Sequence, residues 1–108
     1  MCDRVSMTDA QPDIAIRDVP ERHRYELTVD GVVAGISVYR LADDVIVFEH
    51  TEVDEAYEGR GLGSRLARFA LDDVRARGLR MRIECPFIRT YIRRHPEYDE
   101  LRVRSAER

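Results

Sequence analysis

Apolar residues alternate with polar ones through the first half of the chain and then change period. Tyr25, Leu27 and Val29 share one face of a two-residue repeat, which predicts a half-buried strand over Arg24–Val29. Asp30-Gly31 follows between alternating runs, a strong hairpin signal, and makes 32–41 the partner strand, with Gly35 as a bulge or close-approach point. Residues 14–18 read as a short strand before a turn at Pro20, Glu21 and Arg22. Asp43-Asp44 turns the chain into Val45–Val53, whose Val-Ile-Val-Phe start is apolar on both faces, as in a central strand covered on both sides. An acidic loop, 54–58, ends this antiparallel meander.

From Leu62 the period becomes helical. Leu62, Leu66, Ala70 and Val74 recur every four residues with Ala67, Phe69 and Leu71 beside them, while Arg65, Arg68, Asp72, Asp73, Arg75 and Arg77 take the solvent side. Gly78 suits the C′ position and ends a helix of about 17 residues. Residues 79–84 alternate again through Leu79, Met81 and Ile83. A strand, a helix and a strand with no room for a hairpin imply a right-handed crossover, so this strand runs parallel to Val45–Val53. Pro86 opens a second helix carrying Phe87, Ile88, Tyr91 and Ile92 inward, and Pro96 stops it. Residues 98–103 are a last strand or a tail. The polar segment 1–13 is expected to be a flexible tail and 14–104 a single α/β (α+β) domain.

Composition narrows the function classes. The chain has 108 residues, near the commonest size for one domain with one core. A net charge of -3 argues against a nucleic-acid binder driven by overall charge. No apolar run approaches the roughly 20 residues that span a bilayer, and the N-terminus lacks a signal-peptide-like apolar segment, so a cytoplasmic protein without a membrane partner is expected. Cys2 and Cys85 read as free thiols in a reducing compartment. All 18 basic residues are arginine, which rules out a Walker-type phosphate loop with its lysine.

Gly59, Gly61 and Gly63 stand where the acidic loop becomes the helix. A helix start offers unpaired N–H groups and the positive end of the dipole, and glycines let a phosphate approach closely. Gly59-x-Gly61-x-x-Ser64 is one residue short of a dinucleotide fingerprint, and Glu84 lies about where a ribose-binding acid belongs. The preceding meander and the short remaining chain do not suit that fold.

The run from Val53 to Leu66, with Gly61-Leu62-Gly63 at its centre, resembles the central motif of the GNAT superfamily of acyl-CoA N-acyltransferases, written R/Q-x-x-G-x-G/A. Glu58 stands where Arg or Gln is usual, and its side chain must point away from phosphate. The segments FEHTEV, EGRGLG and CPFIRTYIRRHPEY are similar to a group of single-domain, minimal N-acetyltransferases, and the likeness covers residues 14–100. The resemblance implies a GNAT-like meander followed by a βαβ unit with splayed parallel strands and a short C-terminal helix. It implies acetyl-CoA as co-substrate, with no metal. Backbone groups of Glu52 and Val53 would meet the pantetheine and acyl carbonyl. Gly59, Arg60, Gly61, Leu62, Gly63 and Ser64, with Glu58 in the same turn, would line the pyrophosphate site, Arg60 and Arg65 adding charge.

Three side chains are candidates for the chemistry. Cys85 reads as a nucleophile, a thiol relay, a contact shaping the thioester pocket, or a small buried residue; a helix start beside it favours thiolate. His50, on the strand face of Ile46, Phe48 and Glu52, reads as the base for the amine proton or as a hydrogen-bonded strand histidine. By resemblance Tyr91 protonates the leaving thiolate, and by spacing it is a core residue. His23 and His95 are expected at the surface. The implied function is acetyl transfer from acetyl-CoA to an amine; the alternative is a non-catalytic acyl-CoA-binding or sensing module. The short connections at 18–22 and Asp30-Gly31 leave no room for acceptor-site helices, so the acceptor is expected to be a protein side chain or a polyamine, met by a monomer or weak dimer.

Overall fold

A computed structural model describes residues 13–57 and 59–103; Cys2, Glu58 and all of the 1–13 segment except Asp13 lie outside them. The strands are β1 (Ile14–Val19), β2 (Arg24–Val29), β3 (Val32–Ala42), β4 (Val45–Val53) and β5 (Arg80–Ile83). Helix α1 (Leu62–Ala76) joins β4 to β5, and α2 (Pro86–Arg94) follows β5. Short 3-10 helices occupy Pro20–Arg22, Glu55–Tyr57 and Pro96–Leu101. One sheet runs in the order β1-β2-β3-β4-β5, antiparallel up to β4 and parallel between β4 and β5. This is the α/β architecture expected from the periodicity. Segment 98–103 is neither free strand nor tail: after the 3-10 turn, Arg102 makes one parallel bridge to Met81.

Local chemistry accounts for the joints. Asp30 and Gly31 have φ of 51° and 85°, so both central residues of the β2–β3 turn are left-handed, as a type I′ hairpin requires. Helix α1 is two residues shorter than the pattern suggested and ends in a Schellman motif, where Gly78 (φ 69°) donates to Arg75 O at 3.1 Å and Leu79 to Val74 O at 3.1 Å.

Two bulges set the sheet faces. In β3 the register slips at Ala34, beside Gly35, where a Cβ would meet Glu52 O at 3.3 Å and the Leu66 side chain at 3.5 Å. Gly35 is therefore the close-approach point of sheet and helix. In β4, Val38 pairs with His50 but Tyr39 pairs with Phe48, leaving Glu49 as an extra residue. The bulge reverses the alternation. Ile46, Phe48, Thr51 and Val53 share the helix-covered face, while Val47, His50 and Glu52 share the other. The expectation that His50 lies on the Ile46–Phe48 face fails for this reason; strict alternation cannot anticipate an inserted residue.

The core lies between the sheet and both helices. Tyr25, Leu27, Tyr39, Ile46, Phe48, Leu66, Ala70, Leu71, Val74, Met81 and Ile88 form one buried cluster. Tyr98 reaches Asp72 of α1 at 2.6 Å, and its ring sits 6.2 Å from Tyr91 of α2, so both helices occupy one face. Among the described residues no helix covers the opposite face, contrary to the reading of β4 as covered on both sides. Val47 is nevertheless buried there.

Polar anchors join helix and sheet across this core. Tyr25 donates to Asp73 at 2.7 Å and Tyr39 to Asp18 at 2.5 Å, and Arg77 reaches both carboxylates at 3.0–3.1 Å. Asp73 thus faces inward rather than to solvent as its helical position suggested. Burial first, and then hydrogen bonding to a carboxylate, raises the pKa of both phenols, and the same causes push Tyr98 up to about 12.

The sign of the linkage follows. Phenols whose folded pKa exceeds the unfolded value of about 10 contribute stability that is complete below that pH and lost as pH rises toward the folded values. Urea unfolding should show a falling midpoint from about pH 10 upward, and Tyr25→Phe with Tyr39→Phe should flatten that fall while costing about 1 kcal/mol each near neutrality. An unfolding midpoint independent of alkaline pH would contradict these anchors.

Candidate functional site

Strands β4 and β5 pair only from Val45–Arg80 to Phe48–Ile83. The last bond on this line is Glu84 N–H to Phe48 O at 2.9 Å. Cys85 is extended (φ -84°, ψ 120°), and Pro86, which has no N–H, starts α2 at once. Strand β4 continues to Val53 paired with β3 alone, so the two parallel strands part at the Glu49 bulge. A cleft of about 600 Å³ opens along this second half of β4, from Thr51, Glu52 and Val53 to the start of α1 at Gly61–Ser64.

The helix end of the cleft is suited to an anion. Gly61 caps α1 with φ 74°, no side chain caps it, and its first turn holds no acidic residue. Arg65 N–H is bonded to Gly61 O at 3.1 Å, which leaves the Leu62, Gly63 and Ser64 N–H groups without intrahelical acceptors. Gly59 and Gly61 are needed for their backbone: each has positive φ, and a Cβ on either would meet nothing within 4 Å. Gly63 differs. A Cβ there would lie 2.6 Å from Phe87 Cζ, so this glycine seats the Phe87 ring of α2 over the helix start. Arg60 stacks on Tyr57, 5.6 Å from the ring centre. Glu52 and Glu55 are also among the lining residues.

Cys85 is buried, with 1% exposure, and its thiol donates to Thr51 Oγ1 at 3.3 Å. Thr51 Oγ1 is 3.0 Å from Ser37 Oγ, whose residue is fully buried. The other two candidates stand elsewhere. His50 Nε2 contacts Glu52 Oε2 at 2.5 Å, and both side chains are exposed on the open sheet face. Glu52 alone of that pair reaches the cleft. Tyr91 is buried, stacks on His95 at 4.2 Å between ring centres, and lines a neighbouring cleft of about 440 Å³ with Thr90, Arg94 and His95. Burial is the main cause raising its pKa, outweighing the opposing pull of Arg68. Ser64 and Phe87 line both clefts, so Phe87 divides them.

The structure therefore joins Glu52, Val53, Gly59, Gly61, Leu62, Gly63 and Ser64 in one cleft. Cys85 stands behind Thr51, and His50 and Tyr91 lie on separate surfaces. Sequence reasoning missed Thr51, Ser37 and Phe87, and left His95 without a role. The bulge decides that Thr51 faces Cys85, and Phe87 carried only a helical-face signal. Among the described residues no group of three or more His, Cys, Asp or Glu side chains is placed to hold a metal, and no helix is long and apolar enough to cross a membrane.

Comparison with known proteins places this chain in a family. The model of the GCN5-related N-acetyl-transferase family matches residues 24–101, and the chain belongs to that family. It is 38% identical over 52 residues to Protein NATD1 of chicken, covering 48% of this chain and 47% of that protein, so the chain spans about half the length of that relative. With Protein NATD1 of zebrafish the identity is 25% over 101 residues, covering 90% of this chain and 92% of that one. The ribosomal-protein-S18-alanine N-acetyltransferase of Escherichia coli superposes with a TM-score of 0.54 at 26% identity, over 58% of this chain and 42% of that one. A GCN5-like protein from Staphylococcus aureus shares the fold with a TM-score of 0.64 at 20% identity, over 82% and 87%.

The glycines separate into two mechanical roles that mutation can distinguish. Gly61→Ala should cost about 1 kcal/mol of stability through left-handed strain. Gly63→Ala gains helix propensity and should change stability by less than about 1 kcal/mol, but it must displace Phe87. Combining it with Phe87→Ala should remove the conflict, and thermal unfolding with the Phe87 ring resonances checks both. An undisplaced ring in Gly63→Ala would contradict the packing described.

Proposed function

We propose that the chain is an acetyl-CoA-dependent N-acetyltransferase acting on an amine. The observation that carries this reading is the cleft along the unpaired half of β4, running into a helix start with free N–H groups. It suits a long ligand with amides at one end and a pyrophosphate at the other. Backbone groups at Glu52 and Val53 meet the pantetheine and acyl carbonyl. The N–H groups of Gly59–Ser64 take the pyrophosphate, with charge from Arg60 and Arg65. The adjoining cleft, with Arg94, offers the nucleotide end a further surface.

The chemistry divides between two faces. The exposed His50–Glu52 pair removes the proton of an incoming ammonium, and the freed amine attacks the thioester carbonyl carbon at the splay. Glu52 and Glu55, both exposed beside the cleft, favour a cationic acceptor. The turn at Pro20–Arg22 is only three residues long, so no inserted helix walls the open sheet face. A protein side chain or a polyamine fits such a surface. Family membership and the fold support acyl transfer; the acceptor and the residue roles are the present reading.

One observation favours a non-catalytic acyl-CoA-binding module instead: His50 and Tyr91 both lie off the main cleft. Acetyl-CoA should raise the melting temperature, and CoA thiol should be released with a lysine-containing peptide or spermidine. His50→Ala should lower kcat about a hundredfold, with little change in acetyl-CoA binding. Binding without release for any acceptor would establish the module, and no thermal shift at all would remove both readings.

A further inference from the structure

Ser37, Thr51 and Cys85 form a polar line through an otherwise apolar layer. They come from β3, β4 and the residue after β5, and they meet on the helix-covered face because the Glu49 bulge turns Thr51 inward. Buried hydroxyls are costly unless hydrogen-bonded, and an apolar trio would pack the same space. The separations of 3.3 Å and 3.0 Å satisfy these groups mutually. Only Thr51 of the three also lines the main cleft. A hydroxyl can accept and donate at once, which a valine of the same shape cannot.

We propose that Thr51, held by Ser37, relays the proton of the transfer reaction between the cleft and the buried Cys85 thiol. The assignment rests on the acetyltransferase reading above. As the tetrahedral intermediate collapses, the carbon–sulfur bond breaks with its electron pair going to the CoA sulfur. The Thr51 hydroxyl, which lines the cleft, passes its proton to that sulfur and takes the Cys85 S–H proton in its place. The Thr51 hydroxyl then donates a hydrogen bond through that proton to the Cys85 thiolate, and the Ser37 hydroxyl donates to Thr51. The new amide nitrogen gives its surplus proton to Thr51 Oγ1, whose other proton returns to Cys85 and restores the thiol and its bond to Thr51 Oγ1. One proton moves from nitrogen to sulfur, and nothing else is consumed. Tyr91, on the far side of Phe87, is not required as the acid.

The test uses the full chain with Cys2→Ser, so that Cys85 is its single thiol. The infrared S–H stretch reads the hydrogen bond directly, and CoA release from acetyl-CoA with a lysine-containing peptide reads the reaction. Thr51→Val should shift the S–H band to the position of a free thiol and lower kcat about tenfold to a hundredfold, leaving KM for acetyl-CoA within about twofold. Thr51→Ser should restore both, and Ser37→Ala should lower kcat less than Thr51→Val does. A merely structural role would move the melting temperature without the split between kcat and KM. An unchanged S–H band, or full kcat in Thr51→Val with active parent protein, overturns the assignment. A parent protein that releases no CoA overturns the transferase reading, and the assignment falls with it.

Discussion

The parallel ladder between β4 and β5 stops at Phe48–Ile83, and the chain cannot extend it. Glu84 makes the final bond, Cys85 is extended ahead of a proline, and Pro86 has no N–H to give. Strand β4 runs on for five residues with one edge free. A free strand edge inside a domain is normally a liability, because its backbone groups seek partners. Here that edge faces the start of α1, whose own N–H groups are equally unsatisfied. The cleft is the space between two sets of backbone groups that the fold leaves open.

The Glu49 bulge is the second constraint, and it sorts the side chains. Before it, β4 sends Ile46 and Phe48 into the core. After it, Thr51 and Val53 take that face while His50 and Glu52 turn to the open one. One inserted residue thus places a hydroxyl against the buried thiol and a histidine–carboxylate pair on the open face of the sheet. The anchors of Tyr25, Tyr39 and Arg77 on Asp18 and Asp73 hold α1 against this sheet at the end far from the cleft. The glycine turn takes its left-handed backbone at Gly59 and Gly61.

Much of this was legible in the residues. The Asp30-Gly31 hairpin, the change of period at Leu62 and the stop at Gly78 are local signals, and each acts where it stands. The parallel pairing of β4 and β5 followed from connection length. The inward Asp73 and the Thr51–Cys85 contact were not legible, since both depend on partners distant in sequence. Asp73 has the charge of a solvent residue and faces inward only because Tyr25 meets it. Gly63 looked like part of a phosphate cradle, yet its missing Cβ is filled by Phe87, 24 residues later. The family motif marked the stretch without revealing which glycine bends the backbone and which makes room.

The central claim is that the free edge of β4 and the start of α1 bind one ligand together. Amide chemical-shift mapping on titration with acetyl-CoA tests it most directly. The account predicts shifts confined to the second half of β4, the 59–64 turn and the start of α2, with the β2–β3 hairpin at Asp30-Gly31 unmoved. Saturable shifts elsewhere on the sheet, or none in both the β4 edge and the glycine turn, would contradict it.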